Sequence, residues 1–281
     1  MGDRRKFIKG FAVVGTTALI APSLLAYSPE RKLKNIGFIS GIIEKELKKD
    51  WKDALKKAAS FGFTEFETGG YMGASPQEFL GFCREINLLP VAGFINFNGD
   101  DEELKKNIDL IKQLNMKYGV TYWPWYTGGP FSLDDCRRSA EKLNHLGDIC
   151  RKNAVTFCWH NHNKEFIPME QGIPFDYLMN NTDRDLVKCE MDVYWVKKGG
   201  ADPLEILKKY NGRYAILHIK DMAAGTGQDF ECPGSGIIDF VPIFREADLQ
   251  GISHYMVERD NVPDGMACLK SSARYLKSIS F

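Results

Sequence analysis

Short apolar segments alternate along the chain with longer segments whose apolar residues recur every three or four positions. The short segments are rich in β-branched and aromatic residues, as β-strands are. Helix-forming segments lie between them, for example over residues 46–60, 76–87, 102–114 and 134–153. The pattern therefore predicts eight strand–helix units, whose strands begin near Ile36, Phe63, Pro90, Gly119, Val155, Val187, Tyr214 and Ile252.

Repeated alternation of strand and helix is typical of parallel strands joined by crossover helices. Eight such units close into a (β/α)8 barrel, so we predict an α/β fold with one TIM-barrel domain over residues 34–281. An open doubly wound sheet would carry a glycine-rich phosphate turn after its first strand. Here Gly41 leads directly into Ile42 and Ile43, which disfavours that fold.

Residues 1–26 have the pattern of an export signal. Arg4, Arg5 and Lys6 precede an apolar stretch that is interrupted by glycine, threonine and proline. The pattern resembles a twin-arginine signal, and the stretch is shorter than the ~20 apolar residues of a membrane-spanning helix. We therefore predict a periplasmic protein with no stable membrane span. Cleavage after Ala26 stays open, because Leu24 is a poor match to a small-residue cleavage site.

The composition narrows the class of protein. The chain has 281 residues, with 37 Lys and Arg against 37 Asp and Glu, and 44% of it is hydrophobic. This excludes a basic nucleic-acid-coating protein, a disordered chain and a polytopic membrane protein. Seven cysteines occur without a Cys-x-x-Cys pair, so their spacing reveals neither a zinc knuckle nor a disulfide framework. We predict no nucleic-acid partner, and assembly of identical chains is left open.

Ionisable residues are concentrated where the last four predicted strands end. In a (β/α)8 barrel these strand ends form the barrel mouth, where the chemistry takes place. Burying several charges together is costly unless a cation is bound among them. We therefore predict one divalent metal ion, held by the residues that end strands five to eight, namely His160, Asp192, His218 and Glu258.

Imidazole and carboxylate ligands together favour Mn, Co, Fe or Zn, whereas Ca prefers oxygen alone and Mg suits the set less well. The alternative is a rim of ordinary ion pairs, such as Asp192 with Lys220 and Glu258 with Arg259. Potential ligands at four successive strand ends favour the metal site.

Motifs in the second half of the chain carry a family resemblance. They are His-Asn-His-x-x-Glu-Phe from His160, Met-Asp-Val-Tyr-Trp-Val from Met191 with Gly-Ala-Asp-Pro behind it, His-Ile-Lys-Asp from His218, Gly-Ser-Gly-x-Ile-Asp-Phe from Gly234 and Val-Glu-Arg-Asp from Val257. Over roughly residues 34–281 the chain resembles the sugar phosphate isomerase/epimerase family of xylose isomerase-like barrels.

The resemblance implies a ligand set. Family members bind a divalent metal through Glu, Asp, His and Glu at the ends of strands five to eight, and Asp192, His218 and Glu258 match the last three. His160 stands where the first Glu is usual, and Trp195 stands where a His is common. In the family's ketose 3-epimerases the two glutamates exchange a proton on opposite faces of the sugar. That pair is lost here, which disfavours a two-base epimerase unless Glu165 or His162 substitutes.

A divalent ion chelated by a sugar carbonyl and its neighbouring hydroxyl would stabilise the enediolate formed when the adjacent C–H proton leaves. The candidate bases are Glu258, Glu165, His162 and Lys220. Lys220 could instead stay protonated and stabilise negative charge on oxygen. Reprotonation of the enediolate gives an epimerase or isomerase, and loss of a β-substituent gives a lyase or dehydratase.

The lost pair of glutamates and the export signal favour elimination, because phosphorylated sugars are mainly cytoplasmic. We therefore predict a keto-glycoside or keto-sugar lyase or dehydratase whose substrate is a small sugar or glycoside. A sugar isomerase or epimerase is the alternative. From another class, a non-catalytic periplasmic sugar-binding protein would usually close two lobes around its ligand. A metal-dependent abasic-site endonuclease is disfavoured by the zero net charge, the five histidines and the export signal.

Residues at other strand ends are candidate substrate contacts. Trp123, Trp125 and Trp195 are candidates for stacking on a sugar face, although core packing suits the first two equally well. Glu67 on strand two and Arg259 on strand eight are candidate hydrogen-bonding groups. Backbone N–H groups of the Gly-Ser-Gly turn either bind a phosphate or shape the loop and cap the next helix.

Overall fold

The computed structural model describes residues 31–281, and the predicted export signal lies outside that range. Eight parallel strands close into a barrel in which consecutive strands are neighbours and the last strand pairs with the first. The fold predicted from the alternation is therefore confirmed. The strands are β1 Gly37–Ile39, β2 Glu65–Glu67, β3 Leu89–Phe94, β4 Tyr118–Thr121, β5 Thr156–His160, β6 Val187–Asp192, β7 Tyr214–Ile219 and β8 Tyr255–Val257.

Helices surround the barrel, and several begin at a residue whose side chain accepts a hydrogen bond from the backbone N–H three residues later. Ser75, Asp100 and Ser132 cap the second, third and fourth helices in this way, and those helices start within one residue of the predicted positions. No helix within residues 31–281 is long and apolar enough to cross a bilayer. The helices are α1 Glu44–Phe61, α2 Pro76–Glu85, α3 Asp101–Gln113, α4 Leu133–Lys152, α5 Pro174–Asn181, α6 Val193–Lys198, α7 Pro203–Lys209, α8 Phe240–Leu249 and α9 Gly265–Ser278.

Two apolar clusters form the core. The larger packs the helices against the outside of the barrel, and the smaller consists of strand residues that fill the barrel interior. Val120, Cys158, Ile216 and Met256 belong to the smaller cluster. Because strand side chains alternate between two faces, the residues two positions further along also point inward, at the barrel mouth. Those residues are Tyr122, His160, His218 and Glu258.

A buried carboxylate organises the loop after β7. A short antiparallel ribbon, Asp221–Met222 with Phe230–Glu231, leads into the Gly-Ser-Gly turn. The N–H groups of this turn are not free to bind a phosphate, so the turn shapes the loop. Gly234 and Gly236 donate to the Asp221 carboxylate at 3.0 and 2.9 Å, and Ser235 donates to the Cys232 carbonyl at 2.9 Å. The N–H groups of Met222 and Ile238, on either side of the turn, also donate to Asp221, at 2.8 and 3.1 Å.

A disulfide joins Cys232, which follows the ribbon, to Cys268 in α9. The two cysteines are 36 residues apart in the sequence, and their Cα atoms are 5.6 Å apart. Their pairing depends on how α9 packs beside the ribbon loop, and for that reason the sequence spacing did not reveal it. The other cysteines are buried free thiols, at positions 83, 136, 150, 158 and 189.

A second buried carboxylate ties the loops after β4 and β5 together. Glu165 accepts hydrogen bonds from Trp125 Nε1 at 3.0 Å and from the backbone N–H of His162 at 3.1 Å. Glu165 is 0% exposed, and Trp125 is 1% exposed with its ring stacked on Phe131. Two predictions are therefore corrected: Glu165 is not presented to a substrate as a base, and Trp125 packs in the core instead of forming a pocket wall.

Removal of the disulfide, by Cys232→Ser together with Cys268→Ser, should lower the free energy of unfolding by about 3–4 kcal/mol. The reason is that a cross-link closing a loop of this length restricts the unfolded chain. Urea unfolding measures the change. Wild-type protein treated with dithiothreitol should lose the same amount, and the double variant should not respond to the reductant. Equal stability of the variant and the oxidised wild type would contradict the prediction.

The buried Glu165 should make stability depend on pH. Burial raises the pKa of Glu165 from 4.5 to about 7, although the Trp125 hydrogen bond acts in the opposite direction. The folded protein holds this proton more tightly than the unfolded chain, so stability is lost as the pH rises through that interval. Between about pH 5 and 8 the loss should be about 2–3 kcal/mol.

Urea unfolding of Glu165→Gln across this pH range should lack that decline in the free energy of unfolding. The matched control is Glu170→Gln, which changes an exposed glutamate nearby and should keep the wild-type pH dependence. The same decline in Glu165→Gln as in the wild type would show that Glu165 is not its source.

Candidate metal and active site

The structure gathers the four predicted ligands at the barrel mouth. His160 and Asp192 end β5 and β6, and His218 and Glu258 lie at the mouth ends of β7 and β8. One donor atom from each residue lies within 4.8 Å of the others. The side chain of Glu258 is 15% exposed, and the other three are buried.

The two carboxylate oxygens of Asp192 have different surroundings. Oδ1 accepts a hydrogen bond from the backbone N–H of Trp195 at 2.8 Å and so caps α6. Oδ2 is buried and makes no hydrogen bond. Asn161 holds the strand end in place, because its side chain accepts from the Asp192 N–H at 3.1 Å and donates to the Asp192 carbonyl at 3.3 Å. Asp192 Oδ2 is therefore an acceptor fixed in position, whose one close charged neighbour within residues 31–281 is Lys220 Nζ at 3.3 Å, without a hydrogen bond between them.

Each histidine presents one nitrogen to these carboxylates. Nδ1 of His218 lies 2.7 Å from Glu258 Oε2, and Nε2 of His160 lies 3.7 Å from Asp192 Oδ2. Two imidazoles with two carboxylates suit Mn, Fe, Co or Zn. The buried Asp192 Oδ2 also favours a cation, because it makes no hydrogen bond and its ion-pair partner Lys220 is shared with Glu258 and Asp260. The residues therefore fit a divalent ion.

Burial is the largest influence on the protonation of this site. It raises the pKa of Asp192 to about 6, although Lys220 acts in the opposite direction. It lowers the pKa of His160 well below its ordinary value and lowers the pKa of His162 to about 4. Both imidazoles are therefore neutral near neutral pH, which is the state in which a histidine binds a metal or accepts a proton.

Lys220 supplies positive charge at the mouth. Its Nζ lies 2.9 Å from Asp260, 3.2 Å from Glu258 and 3.3 Å from Asp192. Burial disfavours the ammonium, but these carboxylates outweigh burial and hold the pKa of Lys220 above its ordinary value. Of the two predicted roles, charge stabilisation suits this protonated group and proton abstraction does not. Three aromatic rings have their centroids 5.1–5.9 Å from Nζ, those of Tyr194, Trp195 and Phe230.

Glu190 belongs to this cluster, although it was not selected from the sequence. It precedes Asp192 by two residues on β6, so it also faces the interior, and it is 0% exposed. Its Oε1 contacts His218 Nε2, and Glu67 Oε2 lies 3.2 Å from the same nitrogen. Burial disfavours a charged His218, but the surrounding glutamates hold its pKa well above the ordinary value. The alternation of β6 is the signal that could have identified Glu190.

The predicted substrate role of Glu67 is corrected. Glu67 is 0% exposed, and the Tyr122 hydroxyl and His218 engage its two oxygens, so neither is free for a sugar. Tyr122 is a further residue of the mouth, since its ring stacks on Phe94 at 5.7 Å and meets the His160 ring edge-on at 5.6 Å. Phe94 is 38% exposed and forms an apolar wall there.

Trp123, Trp195 and His162 lie together beside the centre. The His162 ring centroid is 5.3 Å from that of Trp123 and 5.4 Å from that of Trp195. Trp123 Nε1 donates to the carbonyl of Thr127 at 3.1 Å. Trp195 Nε1 and His162 Nδ1 are buried and have no hydrogen-bond partner within residues 31–281.

Of the two ion pairs in the alternative, Asp192 with Lys220 is present at 3.3 Å, whereas Arg259 pairs with Glu231 at 2.6 Å and not with Glu258. Arg259 lines a pocket of about 350 Å³ beside the metal-ligand cluster, together with Glu258 and Asp260. The loop after β1 forms the opposite side of this pocket. The volume is at the lower end of the range for small-molecule sites. Arg259 thus remains a candidate substrate contact.

Comparison with known proteins identifies relatives of this chain. An inosose dehydratase of Clostridium perfringens is 30% identical over 147 residues, which cover 46% of this chain and 49% of that protein. The chain thus spans about half the length of these curated relatives. A crystal structure of a sugar phosphate isomerase/epimerase from Parabacteroides distasonis matches with a TM-score of 0.75 and 26% identity, over 92% of this chain and 98% of that one.

The structure of a protein named IolI, determined with a bound zinc atom, matches with a TM-score of 0.67. Its identity to this chain is 18%, over 86% of this chain and 96% of that one, so the likeness shows a shared fold. The profile of one family matches residues 55–279, which is most of the chain. The protein belongs to the xylose isomerase-like TIM barrel family.

Proposed function

We propose that this protein is a divalent-metal-dependent enzyme that eliminates water or an alcohol from a keto-sugar or keto-glycoside. The observation that carries the proposal is the set of two imidazoles and two carboxylates whose donor atoms lie within 4.8 Å of one another. The curated relative named as an inosose dehydratase supports the choice of elimination.

The four donors would hold the ion, which when bound supplies Lewis-acid polarisation of a sugar carbonyl and its neighbouring hydroxyl. Lys220 offers its ammonium to the oxygen on which negative charge develops. His162, with an unpaired Nδ1, takes the proton from the carbon next to the carbonyl. Trp123 and Trp195 flank His162 and present aromatic faces to the sugar ring.

The elimination balances without an oxidant or a reductant. The electron pair of the broken C–H bond enters the carbonyl system and then forms a C=C bond as the substituent on the β-carbon leaves. His162 returns its proton to the departing oxygen. Water is released from a keto-sugar, and an alcohol is released from a keto-glycoside.

A sugar isomerase or epimerase is the second candidate, and the P. distasonis structure is the observation that favours it. Two-base epimerisation requires a second proton-exchanging group on the opposite face of the sugar. Glu67 and Glu165 do not supply it, because both are fully buried and hydrogen-bonded. The Gly-Ser-Gly turn, whose N–H groups are bound to Asp221 and to the Cys232 carbonyl, does not offer a site for a sugar phosphate.

We further propose that the protein works outside the cytoplasm. The twin-arginine-type pattern of residues 1–26 is one reason. The Cys232–Cys268 disulfide is a second and independent reason, because structural disulfides persist in oxidising compartments and are rare in the cytosol.

Product analysis tests the proposed reaction. Protein loaded separately with Mn²⁺, Co²⁺, Fe²⁺ or Zn²⁺ should convert a 3-keto-glycoside or a keto-inositol into an unsaturated ketone, seen by mass spectrometry as loss of the aglycone or of water. A chelator should stop turnover, and added metal should restore it. His218→Ala should lose both turnover and bound metal.

The matched control for His218→Ala is His254→Gln, which changes a histidine paired with Glu65 at the opposite end of the barrel and should retain turnover and metal. Full turnover by chelator-treated protein would refute the metal dependence. Solvent deuterium entering unchanged ketose, without loss of aglycone or water, would favour the epimerase.

The base assignment has its own test. His162→Asn should lower kcat by about 10²–10⁴-fold, the usual contribution of a general base, with bound metal unchanged because His162 is not one of the four donors. His145→Asn, on the exposed face of α4, should keep wild-type kcat. Parallel loss of metal and kcat in His162→Asn would show that His162 supports the metal centre and does not move the proton.

A further inference from the structure

A single carboxylate lies beneath both histidines of the proposed metal centre. Strand β6 runs between β5 and β7, and in its register Glu190 pairs with His160 while Asp192 pairs with His218. Glu190 and Asp192 both face the barrel interior because they are two residues apart. Asp192 therefore lies at the mouth, and Glu190 lies one layer deeper, with 0% exposure.

The two oxygens of Glu190 divide between the two imidazoles. Oε1 contacts Nε2 of His218, and Oε2 lies 3.8 Å from Nδ1 of His160. That Nδ1 and both Glu190 oxygens are buried and make no hydrogen bond within residues 31–281, whereas His218 Nε2, which Oε1 contacts, is also 3.2 Å from Glu67 Oε2. The other nitrogen of each ring is directed to a carboxylate ligand, His218 Nδ1 to Glu258 at 2.7 Å and His160 Nε2 to Asp192 at 3.7 Å.

We propose that Glu190 is a positioning residue that sets the orientation and the tautomer of both histidine ligands. A neutral imidazole carries its proton on one nitrogen and a lone pair on the other. When one carboxylate accepts the protons of His218 Nε2 and His160 Nδ1, the opposite nitrogens keep their lone pairs for the ion. The inference rests on the metal centre of the proposed function.

Two alternative explanations of Glu190 are weaker. Glu67 shares His218 Nε2 with Glu190, at 3.2 Å, but its other oxygen accepts from the Tyr122 hydroxyl, so Glu67 can serve only one of the two histidines. A second metal ion held by Glu67, Glu190 and His218 is the other explanation, since their donor atoms also lie within 4.8 Å of one another. The direct contact of Glu190 Oε1 with His218 Nε2 favours a pair joined through a proton over an ion shared by these two atoms.

Titration with Co²⁺ tests the inference, because the visible absorption of Co²⁺ reports ligand geometry. The wild-type protein should bind one ion per chain. Glu190→Gln keeps the size of the side chain but has one acceptor oxygen, so it can serve one imidazole only. We expect Co²⁺ affinity to fall by about 10–100-fold and the absorption bands to shift. The matched control is Glu65→Gln, which removes the carboxylate partner of His254 in the same barrel and should change neither readout.

A measurement on the wild type needs no variant. In ¹⁵N-histidine NMR spectra of the Zn²⁺-loaded protein, His218 should carry its proton on Nε2 and His160 on Nδ1. The opposite tautomer at either histidine would overturn the role of Glu190.

The outcomes separate this inference from the proposed function. If the wild type binds no Co²⁺, the metal centre fails and the role of Glu190 fails with it. If the wild type binds one ion and Glu190→Gln matches its affinity and spectrum, only the role of Glu190 is refuted. Binding of two ions per chain by the wild type would overturn it in favour of the second metal site.

Discussion

The barrel mouth buries several charged side chains away from water, and its stability depends on balancing their charges. Four glutamate or aspartate side chains are buried or nearly buried there, and an unpaired buried carboxylate would be strongly destabilising. Lys220 is the one lysine or arginine within residues 31–281 that contacts this group. Glu67 and Asp192 also accept from neutral donors, the Tyr122 hydroxyl and the backbone N–H of Trp195, and the glutamates of the group share His218, whose pKa they raise. A divalent ion would complete the balance, and Asp192 Oδ2, which makes no hydrogen bond and shares Lys220 with Glu258, is where positive charge is most needed.

Carboxylates away from the centre shape the loops that surround it. Asp221 holds four backbone N–H groups of the loop after β7, and Glu165 joins the loops after β4 and β5. The same ribbon that begins at Asp221 supplies Phe230, one of the three rings around Lys220. The disulfide then attaches the end of this loop to α9. The rigid scaffold thus fixes both the charged groups and the apolar wall that excludes water from them.

The sequence alone was enough to predict the barrel, because its strand–helix alternation is a local property that repeats eight times. The positions of His160, Asp192, His218 and Glu258 also followed, since each occurs where a predicted strand ends. Side-chain contacts between distant segments were not predictable in the same way. Glu165 contacts Trp125 instead of a substrate because the loops after β4 and β5 pack against each other. Cys232 and Cys268 pair because α9 packs beside the loop that carries Cys232. Glu190 could be predicted in part. Strand alternation indicates that its side chain faces the barrel interior, but only the register of β6 in the structure identifies its partners.

A histidine at the first ligand position has a consequence for the chemistry. With His160 in place of a carboxylate, only two of the four ligand side chains carry a negative charge. Strand β5 then provides no ligand carboxylate that could exchange a proton with the sugar. Of the family's two glutamates only Glu258 is then present, and in the proposed function the proton is moved by His162, which follows His160 by two residues. Because one imidazole both removes the proton and returns it to the leaving oxygen, both atoms have to lie on the face of the sugar that His162 approaches. A single base on one face is suited to such a syn elimination, whereas epimerisation needs a second base on the other face.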